Sequence, residues 1–299
     1  MKVELQASSI GSLAAKAIQS PDFRATVTNS FTNSFYLKTM NGDIIFFTSN
    51  PTRSPITVNL ASSDSNIHPL QQFTTNAEHI ESEGVLIRIK NAKIFHQQTI
   101  NPHELNQPPH FARTLEIGSF ILGIMDTSKS GLDEGTLTNE RISKFIRSAI
   151  LPLRFKSAHD EFCEQAPRLI GLGSGFTPSG DDFLGGFLAT YNTFATSLKR
   201  QQIVLSFDSF ETKTNWISAK LLECMQLGIL DEEVARLIRS ATCVDEDQFI
   251  FSLESLASRG HTSGIDIIAG VILALSVIFD IKYGTKLATK ITGQFGIRC

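Results

Sequence analysis

The hydrophobic pattern changes period about a third of the way along the chain. From about Phe23 to His96, short β-branched and aromatic runs are broken by turn residues, which predicts strands. Phe35-Tyr36-Leu37-Lys38 and Ile44-Ile45-Phe46-Phe47 flank Met40-Asn41-Gly42-Asp43. An Asn-Gly step between such runs predicts a hairpin, because both residues tolerate positive φ. A second hairpin is expected to join residues 85–90 to 93–95. Between the two, Ile56-Thr57-Val58-Asn59-Leu60 reads as a half-buried strand, entered through an irregular turn from Pro51 to Pro55. Residues 101–110, NPHELNQPPH, carry no periodic signal, so the expected boundary between a domain 1–110 and a domain 111–299 falls there.

Beyond that stretch the period is helical. Ile142, Phe145, Ile146, Ala149, Ile150 and Leu153 recur on one face, and Pro152 is expected to kink or divide this helix. Further helices are predicted at 213–227, ending at Gly228, at 231–241 with Asp231 as cap, and at 245–258. The apolar run 267–279, fenced by Asp266 and Asp280, is shorter than the roughly 20 residues that span a bilayer and reads as a buried helix. The expected fold class is α+β: a β-rich N-terminal domain followed by a mainly α-helical C-terminal domain.

Composition narrows the partners. With 299 residues, 41% hydrophobic and 19% charged, the chain can build a real core, which excludes a disordered or collagen-like polymer. The net charge of −3, with basic residues scattered, gives no electrostatic footprint for nucleic acid or an anionic membrane. Small molecules and other proteins are left as partners, and a homo-oligomer stays open. Cys163, Cys224, Cys243 and Cys299 form no C-x-x-C pair, and residues 1–20 hold no apolar core long enough for a signal peptide. Free thiols in a cytoplasmic protein are the expectation.

Two segments are richer in glycine and acid than packing requires. One runs Gly171-Leu172-Gly173-Ser174-Gly175-Phe176-Thr177-Pro178-Ser179-Gly180-Asp181-Asp182-Phe183-Leu184-Gly185-Gly186, the other Gly260-His261-Thr262-Ser263-Gly264-Ile265-Asp266-Ile267-Ile268-Ala269-Gly270. They share a Ser-Gly-x-Asp pattern and a later glycine, all offset by 84 positions. Ser179 and Ser263 are expected to be N-caps, with Asp182 and Asp266 three residues later closing capping boxes. Two well-capped buried helices packed through Gly186 and Gly270 would account for either segment alone. Taken together, the glycines free backbone N–H groups of 173–180 to hold an anion at a helix start. Asp181 and Asp182 would repel that anion unless a cation intervenes or they meet an amide. The site is therefore expected to bind either a small anionic amide, or phosphate bridged by Mg²⁺ to Asp181, Asp182 and Asp266. Gly173, Ser174, Gly175, Thr177, Ser179, Gly180, Asp181, Thr262, Ser263 and Gly264 would bind the ligand. Asp182 and Asp266 would orient it, with His261 assisting proton transfer. The convergence of the two helix starts is itself an expectation. No P-loop lysine, dinucleotide fingerprint, zinc motif or G-x-S-x-G elbow is present.

Residues 171–184, followed by Gly260-His261-Thr262-Ser263-Gly264-x-Asp266, resemble the signature of the family that includes the AllH-type subunit of oxamate carbamoyltransferase. The likeness extends loosely to the first half, and Ser174 and Phe176 replace residues usual in that signature. The resemblance implies carbamoyl transfer between oxalurate, or a related ureido acid, and phosphate, within a complex of companion subunits in allantoin breakdown. Two other readings stay open: a Mg²⁺-dependent hydrolase of a phosphorylated or ADP-ribose-like compound, and a non-catalytic subunit that binds a small effector.

Overall fold

The computed structural model describes residues 2–62, 67–76, 78–102, 108–129, 136–137, 139–206, 208–242, 245–259 and 262–297. It divides into two compact units, one formed by residues 1–98 with 230–232, the other by 99–229 with 233–299. The architecture is α+β, a β-rich region followed by a helical one.

The β-rich unit contains β1 (Val3–Gly11), a short helix α1 (Ser12–Ile18), β2 (Arg24–Phe31), β3 (Ser34–Thr39), β4 (Ile44–Thr48) and β5 (Thr57–Leu60). It continues with β6 (Gln72–Thr75), β7 (His79–Glu81), β8 (Val85–Arg88) and β9 (Lys93–Phe95). The order β5-β4-β3-β2-β6-β7-β8-β1 closes through a β1–β5 pairing into an eight-stranded barrel. Closure removes the exposed edges that an open sheet would present. Inward positions recur at period 2: Val27, Phe35, Leu37, Ile45, Phe47, Phe73, Ile80 and Ile87 fill the centre, and Phe35 stacks on Phe47 with centroids 4.6 Å apart. The hairpin expected at Asn41-Gly42 is present, with β3 and β4 antiparallel and Gly42 at φ 80°.

Two local expectations are corrected. Residues 85–90 and 93–95 do not form a hairpin, because β8 and β9 both run parallel to β1. Val3 faces Val85 and Ser9 faces Lys93, so the register advances by two residues. The intervening turn, closed by Ala92 N–H on the Ile89 carbonyl, bulges one strand without reversing it. β5 is fully buried rather than half-buried, since it pairs with β4 on one edge and β1 on the other and completes the barrel.

The helical unit contains α2 (Pro108–Lys129), α3 (Glu140–Phe145), α4 (His159–Gln165), α5 (Ser179–Ala195), α6 (Asp208–Glu211), α7 (Trp216–Gln226) and α8 (Glu232–Thr242). α9 (Glu246–Ala257), α10 (Ser263–Tyr283) and α11 (Leu287–Gln294) complete it. The stretch read as structureless ends inside α2: prolines suit the first turn of a helix, where backbone N–H groups have no acceptor. Residues 103–107 of that stretch lie outside the described residues. The expected division at Pro152 is present, as α3 passes into a π turn (Ile146–Ile150) and then a 3₁₀ turn (Leu151–Arg154). Asn139 and Asp245 cap α3 and α9 through their side chains, and Asn215 caps α7.

α5 and α10 form the centre of this unit. All of α5 except Thr193 is buried, and α10 is buried from Gly264 to Asp280. By length and apolarity α10 could cross a membrane, but nearly all of its most apolar window is covered by the rest of the chain. The two helices pack more extensively on each other than any other pair of elements. Their crossing is reciprocal. A Cβ on Gly186 would lie 2.3 Å from the Ile267 carbonyl oxygen, and one on Gly270 would lie 2.1 Å from that of Phe183. Phe183 and Ile267, like the two glycines, are separated by the 84-residue offset. The repeat in sequence is therefore a near two-fold in space about the helix crossing.

Candidate functional site

The two helix starts meet, as the paired pattern predicts. The Thr177 and Ser263 hydroxyls, from the segments that open α5 and α10, are 2.7 Å apart. Asp182 and Asp266 are close enough for one charge to act on the other.

The capping boxes, however, are not there. Pro178 is the N-cap of α5 and Thr262 that of α10, neither with a side-chain hydrogen bond, so Ser179 and Ser263 each occupy the first helical position. Pro178 takes φ −60° and ψ 144°, the extended conformation of an N-cap residue, and Asp181 and Asp182 N–H both donate to its carbonyl, so the turn closes without a hydroxyl. That releases the serines and aspartates for other contacts.

The two adjacent aspartates of α5 are used differently. Asp181 Oδ1 accepts from Gly171 N–H at 2.7 Å and Oδ2 from the Ser218 hydroxyl at 2.7 Å, so this buried carboxylate ties the glycine loop and α7 to α5. Asp182 points into the meeting place of the helix starts. Burial pushes its pKa up to about 8; the Ser263 and Thr177 hydroxyls pull it down, the Asp266 charge raises it, and the Arg259 guanidinium lowers it. Its Oδ2 is buried without a hydrogen-bond partner among the described residues, and so is Ser179 Oγ. Asp266 is fully buried and accepts from the Thr136 hydroxyl.

This arrangement answers the charge conflict raised by the sequence. Asp181 accepts from the Gly171 N–H and the Ser218 hydroxyl and faces the protein, and Asp182 is mostly protonated at neutral pH. Asp182 therefore does not repel an anion, and a protonated carboxyl can donate to one. Among the described residues no group of three His, Cys, Asp or Glu side chains could hold a metal ion, so Asp181, Asp182 and Asp266 do not converge as a Mg²⁺ site.

Gly171, Gly173 and Gly175 have φ of 77°, 103° and 111°, values that an L side chain rarely adopts, and Gly173, Ser174 and Gly175 are exposed. Thr177, Thr262 and Ser263 are half-buried beside them. Gly180 is corrected as an anion donor. Its N–H is hydrogen-bonded to the Leu172 carbonyl, and a Cβ there would sit 2.0 Å from the Leu169 oxygen, so it serves close packing. Gly264 does the same against the Leu256 oxygen. His261, with Gly260, lies outside the described residues. Sequence reasoning missed Thr136 and Ser218, the hydroxyls that hold Asp266 and Asp181. Each is remote in the chain from its aspartate and carries no local motif.

Residues 169–275 match the family described as oxamate carbamoyltransferase subunit AllH. The match takes in the glycine loop, both helix starts and the glycine crossing, while strands β1 to β9 lie outside it. Comparisons with curated proteins and with solved structures gave no match.

Proposed function

We propose that this chain is a subunit of an oxamate carbamoyltransferase, acting with companion subunits, and that the meeting of the α5 and α10 starts binds the transferring carbamoyl group. The observation that carries this reading is a buried, raised-pKa Asp182 with an unpartnered Oδ2 inside the segment that matches the family. Carbamoyl phosphate and oxamate each join an anionic end to an amide. Backbone N–H groups at 173–177 and the positive ends of two helices suit the anion. Asp182 and Asp266 suit the amide.

The chemistry needs a proton carrier. When phosphate attacks the ureido carbon of oxalurate, a C–O bond forms and the C–N bond to oxamate breaks. Monohydrogen phosphate loses a proton and the departing amide nitrogen gains one, so charge balances. A carboxyl that is protonated at rest can give its proton to the departing nitrogen and take up the one that phosphate loses. Asp182 suits that role, Asp266 suits orienting the amide, and Thr136 suits positioning Asp266. The hydrolase reading loses support, because Asp181 is held by Gly171 and Ser218 and is turned from the other two carboxylates.

Calorimetric titration of the full chain with carbamoyl phosphate, oxamate and phosphate, with and without Mg²⁺, tests the site. Saturable binding of carbamoyl phosphate or oxamate, abolished in Asp182→Asn without loss of fold, is the expected result. Binding that survives this substitution, or turnover by the reconstituted complex that survives it, overturns the assignment.

A further inference from the structure

Far along α5 from Asp182, the helical unit has a cavity of 170 Å³ whose lining joins Lys156, His159, Tyr191, Lys199 and Arg200 to Leu153 and Phe155. Tyr191 is nine residues beyond Asp182 on the same helix, about 13 Å at 1.5 Å per residue, so one small ligand cannot occupy both places. We propose that this cavity is a second anion site, built for a small phosphate or phosphate monoester.

Three features carry the inference. The first is charge. No carboxylate is among the lining residues, and among the described residues none pairs with Lys156, Lys199 or Arg200. Several uncompensated cations around one concavity repel each other unless an anion sits between them. His159 Nδ1 lies 3.3 Å from the Asp160 carboxylate, which is fully exposed and not part of the lining.

The second is preorganisation. Arg200 Nη2 donates to the Arg154 carbonyl at 2.5 Å, which fixes the guanidinium and leaves its other N–H groups for a ligand. His159 Nε2 lies 3.2 Å from the Gln202 carbonyl, anchoring the 199–202 loop to α4. Tyr191 is buried, with its ring stacked on Phe187, itself stacked on Phe162. Burial raises the Tyr191 pKa, so the hydroxyl, near Arg200, stays a donor. Donors arriving from different elements suit a tetrahedral oxyanion better than a flat carboxylate.

The third is backbone strain. Lys199 has φ 53°, at the left-handed position that ends the 3₁₀ turn after α5 (Thr196–Leu198), held by Lys199 N–H on the Thr196 carbonyl and Arg200 N–H on the Ala195 carbonyl. Glycine fits there without steric cost. A lysine kept in that conformation beside an arginine points its charge to a use that packing does not require.

The strain also supplies the test. Lys199→Gly removes a cation while relieving the backbone, so a loss of binding cannot be ascribed to unfolding. Inorganic phosphate is titrated by calorimetry into the full chain carrying Asp182→Asn, and the cation substitutions tell this site from the glycine loop, whose backbone N–H groups Asp182→Asn leaves in place. One phosphate per chain is expected to bind, weakened at least about tenfold by Lys199→Gly and again by Arg200→Gln, and less by Tyr191→Phe. Absence of saturable binding in the Asp182→Asn protein overturns the proposal, and so does binding unchanged by the two cation substitutions. Neither outcome bears on the carbamoyl-transfer reading, which stands or falls on the Asp182 site.

Discussion

Replacing Asp182 by Asn should make the protein more stable at neutral pH, by an amount that depends on pH. In the unfolded chain this carboxyl titrates at the ordinary value of 3.8; in the folded protein burial raises it to about 8. Between those values the folded state binds a proton that the unfolded state has lost, so stability falls as pH rises through the window and levels off above pH 8. Integrating that difference gives a destabilisation by Asp182 of about 2 kcal/mol at pH 5, about 4 at pH 7 and about 5 at pH 8. Asparagine keeps the shape but cannot ionise. It gives back at most about 1 kcal/mol through poorer pairing with the Ser263 and Thr177 hydroxyls. Urea denaturation of both proteins at pH 5, 6, 7 and 8 should show the variant gaining on the parent by about 3 kcal/mol across the series. A role confined to opening the helix predicts the opposite: a carboxylate at a helix start stabilises when charged, so its loss would cost more as pH rises. A flat difference, or one that favours the parent at high pH, refutes the reasoning.

Gly270→Ala places a Cβ 2.1 Å from the Phe183 oxygen and 2.7 Å from the Phe187 nitrogen, both main-chain atoms, so the helices must separate. A loss of about 3 kcal/mol or more in chemical denaturation is expected. Asp181→Ala strands Gly171 N–H and the Ser218 hydroxyl and should cost about 3 kcal/mol, with faster proteolysis within 173–176; Ser218→Ala should cost about 1. Ser179→Ala removes a buried hydroxyl that has no partner among the described residues, so thermal melting should move by no more than about 0.5 kcal/mol while carbamoyl phosphate affinity falls. A large loss of stability there would show that the hydroxyl is part of the fold.

The parts of the fold that local chemistry determines were legible. Asn41-Gly42 turns the chain because Gly42 can take positive φ, and Pro152 ends regular helix because it removes a donor. Barrel closure was not legible: β5 looks like any alternating strand, and only its pairing with both β1 and β4 buries Thr57 and Asn59. The β8–β9 turn was misread because a two-residue bulge and a hairpin use the same small polar residues. At the site, the paired Ser-Gly-x-Asp pattern located the meeting of the helix starts. It could not say that Pro178 would take the capping position from Ser179, nor which partners the adjacent aspartates would find.

That last division follows from helical geometry and gives the site its asymmetry. Successive residues on a helix point about 100° apart, so Asp181 and Asp182 can take different partners. Asp181 anchors the loop through Gly171 and Ser218, and Asp182 faces Thr177 and Ser263. The second segment has Ile265 where the first has Asp181, and His261 where it has Thr177. Only the glycine loop of the first segment therefore needs, and has, a carboxylate anchor on its helix. The near two-fold crossing brings two equivalent aspartates to one place, but like charges in a buried site cannot both ionise cheaply. Asp182 is raised by burial and by the charge of Asp266, while Asp266 takes the Thr136 hydroxyl. On the proposed function, the duplicated helix start supplies one proton carrier and one fixed acceptor, the pairing that a proton-coupled group transfer between two small anions requires.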